Sequence, residues 1–462
     1  MAMLAARLVL VAGMAVPLLG QTLSQEQIAA HAQAAQDAER QNDFATAVRE
    51  YQQVVKALPG NAEMLSNLGV ALYFDHQLPQ AIAVFRKAMT LHPALLAPHL
   101  FSGLAWQRLS NPDAAIPQLE KAVQLSPSDV IAHTWLGYAY LDQSRYQDAV
   151  KQFQDACNLD PKNIDAWYAL GEAYLQIGKS ATSKLLAIAP DSGRVWQLAG
   201  EQFELQENKP RALNAYQEAL KRRPDIAELR TQITELGGTV TDVPAAAPIA
   251  GAATSKDELY QQAHDAEEQS RTAFERVVAI DPDSYRAHQV MADSFAAAQK
   301  REDAIKEYKT VLQLKPDLPG IHLDLGRLLA ENGKLPEALQ EFEQEIQLQP
   351  RSAAAHVEAG KILMVMGKDP EAEKMLAAAL AMDRPPADAY LQMGKLDLGH
   401  NNYSATIAML TRYVSMAKDN PDAYYLLSRA YRATGDKERM NEALELFKKT
   451  SKEARAHSLP TE

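Results

Sequence analysis

Apolar residues recur along this chain at spacings of three and four, in short bursts broken by polar residues, Gly and Pro. In the stretch from Ala62 to Pro93, Leu65, Leu68, Gly69 and Leu72 share one stripe, and Ala81, Phe85 and Ala88 share the next. Each stripe is the buried face of an amphipathic helix of about three to four turns. The pattern predicts an all-α chain of helix pairs.

The pairs are copies of one unit. Pro59, Pro93, Pro127 and Pro161 stand 34 residues apart, and Pro282, Pro316 and Pro350 repeat that interval. Behind each proline the same sizes return. One unit carries Gly103, Trp106, Ala115, Leu119, Ala122 and Pro127; the following one carries Leu136, Gly137, Tyr140, Ala149, Phe153, Ala156 and Pro161. Gly in the first helix and Ala in the second remove bulk where two helices cross closely. Pro stops the second helix, because it lacks an N–H and restricts the residue before it. Position by position this resembles the tetratricopeptide repeat family, a 34-residue helix–turn–helix array. The resemblance covers about twelve units between residues 27 and 449. It implies an α-solenoid wound as a right-handed superhelix, whose first helices line an inner groove that holds protein segments.

The match is uneven. Trp167, Leu170, Gly171 and Tyr174 open a unit whose second helix, Ser180 to Ala189, is cut short by Pro190. The next recovers with Trp196, Gly200, Phe203, Ala212, Tyr216, Ala219 and Pro224. Ile226 to Leu236 reads as a capping helix, stopped by Gly237–Gly238. An Ala/Pro/Gly-rich linker follows at 237–255, after which Phe274 and Pro282 close a compressed unit. These breaks predict a leader at 1–20, an N-terminal array at 21–236, the linker, a C-terminal array at 256–449 and a polar, frayed tail at 450–462. The last units, around Tyr390–Leu410 and Tyr424–Phe447, are degenerate, as terminal repeats often are.

Composition narrows the function classes. The formal net charge is −12 with no basic run, which argues against a nucleic-acid partner. Arg7 followed by the apolar run Leu8 to Leu19 reads as a secretory signal cut near Gly20, leaving Gln21 first. An uncleaved anchor is the alternative, and the only membrane contact expected. Export to a bacterial periplasm or cell envelope follows as the expectation. The single cysteine, Cys157, has no disulfide partner and reads as a small apolar filler.

Carried onto this chain, the family's groove falls on Tyr73, Phe74, Leu100, Leu104, Ile131, Tyr138, Leu141, Tyr168 and Leu175, an apolar, aromatic strip; the alternative for any one of them is burial by the curl of the superhelix. Further on it becomes polar, with Glu201, Glu204, Gln289, Asp293, Arg327, Lys361, Lys395, Arg429 and Arg432. One branch of the family clamps the C-terminal carboxylate of heat-shock chaperones with Lys and Asn. The matching positions here hold Ser66, Val70, Leu100, Leu104, Thr134 and Tyr138, so that clamp is missing.

His99, His133, His288, His322 and His356 occupy one repeat position. Equivalent positions stand about 10 Å apart in packed helix pairs, too far to share a metal, so packing is the expected role. Trp106, Trp135, Trp167 and Trp196 are expected mainly in the core. No HExxH, phosphate-cradling Gly loop or nucleophile elbow occurs. No catalytic residue, metal, cofactor or small-molecule substrate is therefore expected. The expected function is a non-enzymatic envelope scaffold for protein partners. The alternative is a regulatory or targeting subunit of an envelope enzyme, secretion or polysaccharide-export complex.

Overall fold

The computed structural model describes residues 23–240 and 255–456, and all the regular structure in them is helical. The chain divides at Pro161/Lys162 into two compact units. The expected leader at 1–20 and most of the expected linker, 241–254, lie outside the described residues.

The first unit is built of consecutive pairs: α1 (Gln25–Arg40) with α2 (Phe44–Ala57), α3 (Ala62–Phe74) with α4 (Leu78–Leu91), α5 (Leu96–Arg108) with α6 (Pro112–Leu125), and α7 (Val130–Asp142) with α8 (Tyr146–Leu159). Side-chain caps start several first helices: Asn61 accepts from the Met64 amide at 3.0 Å and Asp129 from Ala132 at 2.9 Å. Every turn between paired helices contains one residue in the left-handed region. In this unit these are Asn42, His76, Ser110 and Ser144, with φ of 58°, 59°, 54° and 58°. The turn recurs with the repeat, so the backbone, like the core, has a period of 34. The close crossings are real. A Cβ on Gly137 would come within 2.5 Å of the Phe153 ring.

In the second unit the period is interrupted. α9 (Ile164–Ile188) begins as an ordinary first helix, capped by Asn163, yet runs on past the place of the next turn. Gly178 occupies the repeat position of Ser144 but stays helical. There follow α10 (Gly193–Leu205), α11 (Lys209–Arg222), α12 (Ala227–Glu235) and the long α13 (Ser255–Ile280). α9 and α13 form the most extensive helix pair in the chain. They run antiparallel, because Gly171 meets Phe274 while Gly178 meets Ala263 and Ala266.

That pairing corrects the sequence reading of this region. The second helix of the unit opened by Trp167 is the far half of α13, with Ser270, Phe274 and Val277 in the places of Ala149, Phe153 and Ala156. A Cβ on Gly171 would lie 2.5 Å from Phe274, as Gly137 relates to Phe153. Ser180–Ala189 is no shortened partner but the continuation of α9. Phe274–Pro282 closes the unit that Trp167 opened. Residues 179–265 are thus inserted inside one repeat.

The insertion forms a branch. Ala181 and Leu185 of α9, Ala189 at its C-cap, Val195 and Leu198 of α10, and Tyr260 and Ala263 of α13 share one apolar cluster. Beyond it, α11 and α12 close around Tyr216, Leu220, Leu229 and Ile233. Residues on both sides of 237–255 therefore pack within one unit, and the expected boundary between arrays there is not a boundary in packing.

After α13 the ordinary pairs return: α14 (Tyr285–Ala297) with α15 (Arg301–Leu314), α16 (Ile321–Glu331) with α17 (Leu335–Leu348), α18 (Ala353–Val365) with α19 (Asp369–Leu380), α20 (Ala387–Gly399) with α21 (Tyr403–Met416), and α22 (Pro421–Thr434) with α23 (Lys437–Ala456). Their left-handed turn residues, Gln299, Gly333, Gly367, Asn401 and Gly435, restore the 34-residue interval. Of the tail expected to fray from Thr450, residues 450–456 instead continue α23, with Thr450 buried, and residues 457–462 lie outside the described residues.

Candidate functional site

Within the first unit, first helices touch their counterparts directly, α3 against α5 and α5 against α7. Side chains on those seams are covered. Tyr73, Leu100 and Leu104 are 3%, 7% and 7% exposed, so they hold the array and do not face a partner. Phe74, Tyr138 and Leu141 are half-buried, and Ile131 is exposed.

The structure gathers an aromatic shelf around Phe74. Its ring stacks on Phe44 at 5.0 Å and meets Phe101 edge-on at 5.9 Å. Tyr73 lies beneath, 5.4 Å from Phe101, with the Arg108 guanidinium 4.7 Å over its ring. Phe44, Phe74 and Phe101 each keep part of their surface in water. Sequence reasoning missed Phe44 because it opens a second helix, and missed Phe101 because it lies between groove positions. Their signal is an apolar residue outside the helix-pairing stripe. Tyr138 forms a smaller group with Trp135 at 5.7 Å and Phe153 at 5.2 Å.

In the second unit the equivalent face is charged. Tyr168 is buried, so it too is corrected from groove lining to core. It packs on Phe274 at 5.5 Å and donates its O–H to Asp293 at 2.9 Å. Tyr308 donates to the other Asp293 oxygen. Arg286 lies 4.5 Å over the Tyr168 ring and bonds Asp165 at 2.7 Å. Leu175 is half-buried. Burial, then the Asp293 charge, raises Glu172 to about 7 and Asp324 to about 6. From Asp324 an ion-pair ladder runs along the first helices. Arg327 joins Asp324 at 3.6 Å and Glu358 at 3.5 Å, and Lys361 joins Glu358 at 3.3 Å and Asp388 at 2.8 Å. Among the other expected polar positions, Gln289 is buried and accepts from Arg286 at 2.7 Å, Lys395 is half-buried, and Arg429 and Arg432 are exposed. Glu201 and Glu204 lie on the branch, where each accepts a tyrosine O–H.

The histidine column is a set of clasps. His99 bonds Gln118 at 3.0 Å and His133 bonds Gln152 at 2.9 Å, each nineteen residues on, on the second helix of its pair. Their other ring nitrogens face the Pro93 and Pro127 carbonyls at 2.9 and 3.0 Å. His31–Glu50, His288–Glu307 and His322–Glu341 repeat the clasp at 2.6 Å, with a carboxylate as partner. The hydrogen bond to Glu341 raises the His322 imidazole above its usual range. His356 instead bonds the Ser352 carbonyl at 2.9 Å. Among the described residues, no three His, Cys, Asp or Glu side chains are placed to hold one metal ion. Cys157 is buried, and burial pushes its thiol up to about 12, which keeps it protonated. No described helix is long and apolar enough to cross a membrane.

A family model described as TPR repeat matches residues 137–178 and 292–333. Two described as tetratricopeptide repeat match 33–94 and 387–450, and 329–396. No curated protein matches the chain. Among solved structures, it is similar to MamA 41-end from Desulfovibrio magneticus RS-1, at 18% identity and TM-score 0.31, over 44% of this chain and 98% of that one. It is also similar to TTC0263, a thermophilic TPR protein of Thermus thermophilus, at 16% identity and TM-score 0.36, over 58% of this chain and 100% of that one. A third, YrrB, a TPR protein with an unusual peptide-binding site, is 18% identical with TM-score 0.30, over 46% of this chain and 94% of that one. The repeated Gly–aromatic crossings, the 34-residue turn period and the matched segments agree: the chain belongs to the tetratricopeptide repeat family.

Proposed function

We propose that this chain is a non-enzymatic scaffold of the bacterial cell envelope, which holds protein segments on the first-helix side of its repeats. The shelf of Phe44, Phe74 and Phe101 carries this reading. Three aromatic rings are fixed by one another, each partly wetted, with Arg108 over the ring of Tyr73 beneath them. Aromatic surface already fixed in place loses little entropy on binding, and phenylalanine, like tyrosine and tryptophan, is enriched at protein interfaces. The envelope setting rests on the leader-like run Leu8 to Leu19.

The test is co-precipitation from an envelope extract with the full chain and with a Phe74→Ala/Phe101→Ala variant, after a thermal melt shows that the variant is folded. A protein captured by the first and lost from the second supports the shelf as the working surface. Capture unchanged by the substitutions moves the function to other surfaces and favours the regulatory or targeting subunit. Tyr425, 47% exposed against Phe447 at the C-terminal end, gives that second reading its own candidate surface.

A further inference from the structure

The branch is fastened where α10 meets the near half of α13, and a carboxylate sits in that seam. Tyr260 of α13 donates its O–H to Glu201 Oε1 at 2.7 Å, and His264 Nδ1 stands 3.9 Å from the same oxygen. The second oxygen, Oε2, is buried and finds no hydrogen-bond partner among the described residues. Arg194, on the same helix, is already engaged: it bonds Asp257 at 2.8 Å and lies 4.3 Å over the Tyr260 ring. The other groups facing Glu201 are acidic or phenolic. They are Glu267 of α13, Glu204 of α10 itself, and Tyr216 of α11, which donates to Glu204.

We propose that Glu201 is a proton-operated latch between α10 and α13, closed when its carboxyl is neutral and loosened when it ionises. A neutral carboxyl can remain in the seam at far smaller cost than a charged one. A charged one leaves a buried oxygen unsolvated, and opening the seam restores its water. Burial, with Glu267 and Glu204, raises the Glu201 carboxyl to about 7, against the opposing effects of Tyr260 and His264. Asp257 bonds both Arg194 and Arg223, at 2.8 and 2.9 Å, and keeps the base of the branch tethered when the latch opens.

The sign follows from linkage. The closed state holds the proton up to about pH 7 and the open state only to its ordinary value of 4.5, so opening grows as pH rises between them and levels off above. Linkage between those two values gives about tenfold more opening at pH 8 than at pH 6. The experiment is amide hydrogen exchange of α10 and α11 in the full chain at both pH values, corrected for intrinsic rates. The expected result is that tenfold loss of protection at pH 8, abolished in Glu201→Gln and kept in His264→Asn. Equal protection at the two pH values, or a difference that survives Glu201→Gln, overturns the latch. So does a difference lost only in His264→Asn. Should Glu201→Gln fail to fold, carbon-13 titration of the Glu201 carboxyl in the unmodified chain decides: a midpoint near neutrality supports the latch, and one in the ordinary carboxylate range overturns it.

Discussion

The repeat of α7 and α8 and the repeat of α9 with the far half of α13 have the same core and different chains through it. In the first, Gly137 meets Phe153 and the backbone turns at Ser144 between them. In the second, Gly171 meets Phe274 with equal closeness, but a whole branch lies between the two helices in sequence. A repeat unit is therefore a packing arrangement that needs no continuous chain. It needs only that two helices present a small residue and a large apolar side chain to each other, a ring as at Gly137 or a leucine as at Gly103, whichever part of the sequence supplies the second helix.

The largest effect that would test this equivalence is overpacking of the two crossings. Gly137→Leu and Gly171→Leu each drive a branched side chain into a ring already 2.5 Å from the first added carbon. Each should destabilise its unit by about 3 kcal/mol, because the added carbons overlap the facing ring and one of the two helices must shift. The check is a denaturant or thermal melt of each variant. A severe Gly137→Leu beside a mild Gly171→Leu would break the comparison, because it would mean that Phe274 does not fill the place of Phe153.

What could be read from the sequence, and what could not, follows the same division. The prolines at 34-residue intervals and the Gly–Ala–aromatic sizes sufficed for the fold, because they encode contacts inside each unit. The split repeat escaped because Trp196 to Pro224 forms a good unit of its own, which reads naturally as the next member of a linear array. The available clue was that Gly178 falls on the turn position and Ser270 on an alanine position of one register. Groove residues were harder. Whether an apolar side chain on a first helix is wetted depends on how closely the neighbouring first helix approaches. That distance covered Tyr73, Leu100 and Leu104 while leaving Phe74 and Ile131 accessible. The orphan oxygen of Glu201 depends on the branch and could not be read from a linear array.

A middle-sized effect sharpens the comparison at the second helix. Where Ala81, Ala115, Ala149, Ala304 and Ala338 fill the tight position, the split repeat has Ser270, 1% exposed, whose Oγ finds no partner among the described residues. A buried hydroxyl with no bond destabilises, and deleting it leaves the size of alanine that the other units use. Ser270→Ala should stabilise the chain by about 1 kcal/mol, and Ala149→Ser should destabilise it by a similar amount. Melting temperatures that move the other way in either variant would show that position 270 is not equivalent to position 149.

The smallest effects lie at the point where the two chains diverge. Ser144 holds a left-handed conformation that an L side chain disfavours, so Ser144→Gly should stabilise by about 0.5–1 kcal/mol. Gly178, one repeat later, is helical, and a Cβ there would meet Ala263 O at 3.5 Å and Ala266 Cβ at 3.7 Å, both ordinary contacts. Gly178→Ala should therefore also stabilise, by about 1 kcal/mol, because alanine is the better helix former. Opposite substitutions at one repeat position would then have the same sign. Calorimetry on the two single variants is sufficient. A destabilising Gly178→Ala would mean that the chain bends at Gly178 as it does at Ser144. The branch would then have to leave the array by a turn, and α9 would not be one continuous helix.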